Sequence, residues 1–286
     1  MIDFIIYSRL SSHLIEHRIH TSPHRPILNL NLTAAHLTAP LLATGATAVV
    51  LSHQDLAVKL FPSSPTALAA FAHERDLYEH LNFGSQSEYI LQYFGTWDTG
   101  IVLERMDVML RQRLQTSQPV SSEMQDLWIV ELAKGLAFLH QKGVVHGDVS
   151  ARNVLLTCQH IRICDFARAR LGGGEASARY EVRNQKPGME ACVQTDIFAF
   201  GSVVFEIVTG GVVFAGLSDG EVRERFEKGE WPVEEVGREG LRRVVEGCWK
   251  GRYRCFEEVL GNLEEEEKER RQLLALRSDA VDSIKA

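Results

Sequence analysis

The stretch HGDVSARNVLL, residues 146–156, followed by the apolar run that ends ICDF on Asp165 and Phe166, decides how the rest of this chain is read. Asp148 lies five residues before Asn153, and Asp165 closes the next run. A loop with that spacing can aim one acceptor at a hydroxyl while a carboxamide and a second carboxylate offer oxygens to a cation. Two carboxylates and a carboxamide so placed suit work on phosphate groups, where the protein mainly positions reactants and neutralises charge.

On the N-terminal side, residues 37–61 contain two β-like runs, LLATGATAVVL and DLAVKLF, joined by the polar turn Ser52, His53 and Gln54. A helix should start near Ser64 or Pro65 and run through ALAAFAHERDLYEHL, where Leu68, Phe71, Leu77 and Leu81 recur at helical spacing. Strand-like YILQYFGTW and GIVLERM follow. After Arg105 the signal turns helical: residues 125–141 are amphipathic and stop near Gly143. TDIFAFGSVVFEIVTG, residues 195–210, is apolar almost all round, which predicts a helix at the centre of a lobe. Shorter helical signals occupy residues 218–228, 239–249 and 255–263, and EEEEKERRQLL reads as a solvated terminal helix or frayed tail. The order predicts an α+β protein, a small β-rich lobe with one helix followed by a larger, mainly helical lobe.

Composition narrows the function classes. With 286 residues and 45% hydrophobic content, the chain can bury a sizeable core. A net charge of −7 opposes nucleic-acid binding, which needs a clustered basic face. Five scattered cysteines in unpaired spacing predict reduced thiols and a cytoplasmic location. The opening MIDFIIYSRL is too short and too interrupted, by Asp3 and Arg9, for a membrane segment. Residues 1–36 show no sustained period and read as a poorly ordered extension. They carry His13, His17, His20, His24 and His36, but no cysteine or carboxylate cluster joins these into a zinc site.

The catalytic-loop pattern resembles the protein kinase superfamily, with HGD where most members have HRD and DFA where they have DFG. TDIFAFGS is also similar to divergent kinase-like proteins of filamentous fungi. The resemblance implies a bilobal fold, with residues 37–105 as the small lobe, 106–263 as the large lobe and 264–286 as a charged tail. It implies ATP and Mg2+ as cofactors, a protein hydroxyl as acceptor, and a monomer. Asp148 would orient the attacking hydroxyl and accept its proton, while Asn153 and Asp165 would hold magnesium. Lys59 would contact the α- and β-phosphates and pair with Glu74; Glu79, five residues on, competes for that pairing. Gly45 is the one glycine of the reduced phosphate loop ATGATAVV. Val50, Ala57 and Leu155 would sandwich the base. The Glu104 carbonyl and Met106 amide would meet the adenine edge, with Leu103 guarding the pocket behind. His146 would be structural and packed on Phe166, with Tyr78 and Tyr93 continuing the stack.

Asp196 would bind backbone amides of the catalytic loop, and Arg254, in CWKGRYRCFEEVL, would be a structural arginine. HGD also occurs in aminoglycoside and choline kinases, so a small-molecule kinase is one alternative. An inactive pseudokinase acting as a nucleotide-dependent binding module is the other. The DxWxFG-like helix and the CW…R ending favour a protein kinase. Several departures stand out: Gly147 removes the arginine that reads a phosphorylated segment, Ala167 replaces a glycine, and no APE precedes Asp196 at the usual distance. SARN resembles the AARN of tyrosine kinases, with Ser150 and Arg152 at the diagnostic places. Between Ala167 and Thr195 the only hydroxyl residues are Ser177 and Tyr180. With no arginine at Gly147, activity should not depend on phosphorylation there, and Ser177→Ala with Tyr180→Phe should retain most of the rate.

Overall fold

A computed structural model of the chain describes residues 2–10, 13–22, 25–28, 40–172 and 180–285, with side chains for 40–172 and 180–272. Ser177 and the histidine side chains before residue 37 lie outside those described. The chain divides into two compact units, residues 1–107 with 164–167, and residues 108–163 with 168–286.

In the first unit the backbone of β1 (Ile2–Leu10), β2 (His13–Ser22) and β3 (Arg25–Leu28) forms an antiparallel three-stranded sheet, where the sequence offers no sustained period. Next come β4 (Leu41–Thr44), β5 (Val49–His53), β6 (Leu56–Leu60), the helix α1 (Pro65–Asn82), β7 (Tyr93–Trp97) and β8 (Gly100–Glu104). These strands make a five-stranded antiparallel sheet in the order β4-β5-β6-β8-β7. Strand β8 lies between β6 and β7, and Ile101, Val102 and Leu103 are buried along it, as a strand between two neighbours requires. Register puts Val50 opposite Lys59, Lys59 opposite Ile101 and Ala57 opposite Leu103. Helix α1 starts where the sequence predicts, because Ser64 accepts the Ala67 N–H and Pro65 fits the first turn. Its inward face consists of Ala67, Glu74, Leu77, Tyr78 and Leu81, whereas Leu68 is exposed. A carboxylate therefore occupies a place that apolar spacing alone would give to a hydrocarbon.

The second unit contains β9 (Val108–Met109), α2 (Leu110–Leu114), α3 (Ser122–Gln141), β10 (Val144–Val145), β11 (Val154–Thr157), β12 (His160–Ile163) and β13 (Arg170–Leu171). It continues with a 3-10 turn (Val182–Asn184), α4 (Val193–Thr209), α5 (Asp219–Glu227), α6 (Glu239–Trp249) and α7 (Phe256–Lys285). Small antiparallel pairings hold the loop segments: β11 lies between β12 and β9, and β10 pairs with β13. Helix α4 is buried from Thr195 to Ile207, so the apolar run does form the centre of this unit. Gly201 permits that. A Cβ built there would lie 2.7 Å from the Cβ of Cys248, so only a glycine lets α6 approach this closely, and Trp249 Nε1 then reaches Ser202 Oγ at 3.1 Å. The charge run after residue 263 continues α7 as one helix. Among the described residues, no helix is long and apolar enough to cross a membrane.

Candidate active site

The first unit assembles a charged cluster around a single lysine. Strand β6 delivers Lys59 Nζ to both oxygens of Glu74, at 2.8 and 2.7 Å, and to Asp165 Oδ1 at 2.9 Å. Glu74 is fully buried, while exposed Glu79 points elsewhere on the same helix. Burial by itself would favour a neutral amine, but the two carboxylates outweigh it and hold Lys59 protonated, well above the usual lysine range. Burial also pushes Glu74 upward, against the pull of Lys59. The ammonium on its flexible stem is thereby fixed to one position, which is what a lysine must do to meet a phosphate reproducibly.

Asp165 reaches Lys59 through an unusual backbone. Its φ is +65°, in the left-handed region that aspartate tolerates better than most side chains. Phe166, which follows, is fully buried and meets Tyr78 edge-on at 5.0 Å, and Tyr78 stacks on Tyr93 at 5.4 Å. This aromatic column joins α1, β7 and the Asp165 turn within one unit, so the turn cannot move without disturbing the core. Gly45 N–H donates to the Ala48 carbonyl at 2.8 Å and closes the turn between β4 and β5. Glu104 ends β8, and Met106 lies two residues beyond it.

In the second unit the loop between β10 and β11 carries Asp148 and Asn153. Asn153 Nδ2 donates to the Asp148 carbonyl at 2.8 Å, a bond that spans the loop and leaves the carboxamide oxygen as the atom suited to a cation. The Asp148 N–H donates to His146 Nδ1 at 3.2 Å, so that nitrogen is an acceptor and His146 is locked by its own loop. Leu155 lies on β11 opposite Met109 and Arg162.

Asp196 holds this loop in place. Its Oδ2 accepts the His146 N–H at 2.8 Å and contacts His140 Nε2 at 2.9 Å; its Oδ1 accepts the Gly147 N–H at 3.1 Å and the Tyr180 hydroxyl at 2.7 Å. Burial raises the cost of the charge, but His140 and Tyr180 more than offset it and hold the carboxyl below its ordinary value. Gly147 has φ +73°, a left-handed value that glycine adopts without a Cβ clash. Asp196 is not the cap of α4. That place falls to Cys192, whose carbonyl accepts the Thr195 N–H at 3.1 Å while Thr195 Oγ1 accepts the Cys192 N–H at 2.9 Å.

A second polar cluster was not apparent in sequence. Buried Arg111, on α2, makes a two-pronged bond to Glu206 on α4 at 2.7 and 2.9 Å, and its other edge holds Glu181 at 2.9 and 2.7 Å. Arg152 also reaches Glu181, at 2.9 Å. No local spacing relates residues 111, 181 and 206, so only the fold could show them together. Arg254, the candidate structural arginine, is by contrast 91% exposed, with Glu258 at 3.9 Å as its partner.

Comparison with known proteins agrees with this arrangement. The sequence pattern of the protein tyrosine and serine/threonine kinase family matches residues 46–255, most of the chain. The chain belongs to that family. It is 30% identical over 144 residues to receptor tyrosine-protein kinase erbB-4 of Homo sapiens, covering 46% of this chain and 11% of that protein. It is 30% identical over 140 residues to receptor tyrosine-protein kinase erbB-2 of Mus musculus, covering 44% and 11%. A protein of Acanthamoeba polyphaga mimivirus, L673, provisionally named a serine/threonine-protein kinase, is 30% identical over 133 residues, covering 43% and 24%. The matched stretch thus spans a quarter or less of each relative.

Proposed function

We propose that this chain is an active protein kinase that transfers the γ-phosphoryl group of ATP to a protein hydroxyl. The observation that carries the reading is the triple contact of Lys59 with Glu74 and Asp165 inside one unit. That cluster suits the binding of ATP phosphates, and the acceptor-side carboxylate Asp148, retained in the loop with Asn153, favours transfer over binding alone. Magnesium-bound ATP supplies the transferable group and the cationic charge that offsets its phosphates. The donor set fits such a cation, because Asp165 and Asn153 offer hard oxygens and among the described residues no thiol or imidazole cluster would prefer a softer metal. Asn153 and Asp165 would hold magnesium, Lys59 would position the α- and β-phosphates, and Asp148 would orient the acceptor hydroxyl and take its proton. Gly45, Val50, Ala57, Glu104, Met106 and Leu155 would form the nucleotide's surroundings. Among the described residues no cysteine forms a disulfide, which fits a reducing, cytoplasmic setting.

Thermal denaturation with ATP, with and without magnesium, tests the nucleotide half. The wild type should be stabilised by ATP only weakly without magnesium and by several degrees with it. Lys59→Met and Asp165→Asn should each abolish most of the magnesium-dependent shift. An unchanged shift in both variants would remove the nucleotide site from these residues.

A further inference from the structure

Tyr180 and Glu181 are neighbours on the segment that leads into α4, and their side chains take different partners. The Tyr180 hydroxyl, on a residue only 9% exposed, donates to Asp196 Oδ1 at 2.7 Å and lies 2.8 Å from Thr195 Oγ1. Asp196 in turn accepts the backbone N–H groups of His146 and Gly147, the two residues directly before Asp148. Glu181 contacts Arg152, which stands between Asp148 and Asn153, as well as buried Arg111. With Glu206 included, this second cluster contains two cations and two anions, so its charges balance without any added group.

We propose that Tyr180 and Glu181 are positioning residues for Asp148, a permanent double tie that fixes the catalytic loop to the segment before α4 without phosphorylation. The proposal rests on the reading of Asp148 as the group that meets the acceptor hydroxyl. Where a kinase is switched on by phosphate, an arginine next to the catalytic aspartate binds the new anion and orders the segment. Here that place is Gly147, which has no side chain, and the resident carboxylate of Glu181 supplies the anion to Arg152. Tyr180 is equally unsuited to accept a phosphate. Its hydroxyl is buried, and burial together with the Asp196 charge holds it protonated far above the usual phenol range. The sequence predicts that Ser177→Ala with Tyr180→Phe retains most of the rate; the proposed tie predicts a loss from the Tyr180→Phe half, because the hydroxyl is a donor in the chain of bonds that ends at Asp148.

Two variants of the full chain test the tie, Tyr180→Phe, which removes the hydroxyl, and Glu181→Gln, which removes the charge, each with little change of shape. Amide hydrogen exchange at His146 and Gly147 requires no turnover. It should quicken about tenfold in Tyr180→Phe, the factor that one ordinary hydrogen bond contributes to a local opening, while amides in the middle of α4 stay unchanged. In phosphate-transfer assays kcat should fall about tenfold in that variant with the KM for ATP unchanged, since the loss lies at the loop and not at the nucleotide. Glu181→Gln should quicken exchange at Arg152 and Asn153 in the same local way. Phosphatase treatment of the wild type should leave its rate as it was. Unchanged exchange at His146 and Gly147 in Tyr180→Phe would overturn the proposal, and so would a tenfold fall in wild-type rate after phosphatase. Local acceleration in a wild type that transfers no phosphate would uphold the tie and count against the enzyme reading alone.

Discussion

Asp196 and Arg254 both match the kinase pattern in sequence, and the structure treats them in opposite ways. Asp196 is fully buried and takes donors from His140, His146, Gly147 and Tyr180. Arg254 stands 91% in solvent beside Glu258. The contrast follows from what each residue needs. Two of the donors to Asp196 are backbone amides, which are present whatever side chains the loop carries, so the aspartate keeps its work even with Gly147 in place of an arginine. An arginine in the interior needs a buried carboxylate. The segment before α4 instead buries a neutral amide, Asn184, whose Nδ2 donates to the Ala199 carbonyl at 3.4 Å. A buried cation with no anion is costly, so the guanidinium stays in water. A motif residue therefore keeps its structural role only where its partner is still supplied.

Substitutions on either side of that contrast should differ widely in cost. Asp196→Ala leaves several buried donors without an acceptor and should lose about 3 kcal/mol or more in denaturant melts. A loss near 1 kcal/mol would be no more than a helix-start effect and would erase the distinction. Acid should find the same group. The folded carboxyl lies below its unfolded value, so its stabilisation is complete above the unfolded range, near pH 4, and drains away as pH falls through the folded value. In stability measured from pH 6 down to pH 2, the wild type should show a steeper acid limb than Asp196→Ala; parallel limbs would show that the charge is not what stabilises the loop. Gly147→Ala forces a side chain to φ +73° and should cost about 1–2 kcal/mol. Arg254→Ala should change stability by no more than about 0.5 kcal/mol. A loss of about 2 kcal/mol there would mean that the arginine does hold the segment and that exposure misjudges it.

The fold was legible in the sequence wherever period and caps agree. Ser64 with Pro65 marked the start of α1, and the unbroken apolar run of residues 195–210 marked a buried central helix. The catalytic-loop spacing and the Lys59 strand were legible for a similar reason, because each is local. The polar interior was legible only where the family resemblance marks it, at the Glu74 partner of Lys59 and the Asp196 acceptor of the loop amides. Apolar spacing alone misplaces Leu68, which faces water. The Arg111, Glu181 and Glu206 cluster is drawn from three segments, and nothing beside Tyr180 in the sequence marks its burial against Asp196. Such contacts depend on which segments the fold brings together, and a one-dimensional pattern carries no trace of them. The sequence also shows no sustained period before residue 37, where the backbone forms β1, β2 and β3.

The most direct test of the enzyme reading compares wild type with Asp148→Asn in transfer of labelled phosphate from ATP to a generic protein substrate, with ATP affinity measured alongside. The wild type should transfer phosphate, and the variant should be slower by about a hundredfold or more while binding ATP almost as well, because the carboxylate acts on the acceptor and not on the nucleotide. Equal rates in the two proteins, or no transfer by the wild type with its nucleotide bound, would contradict the assignment and leave a nucleotide-binding module in its place.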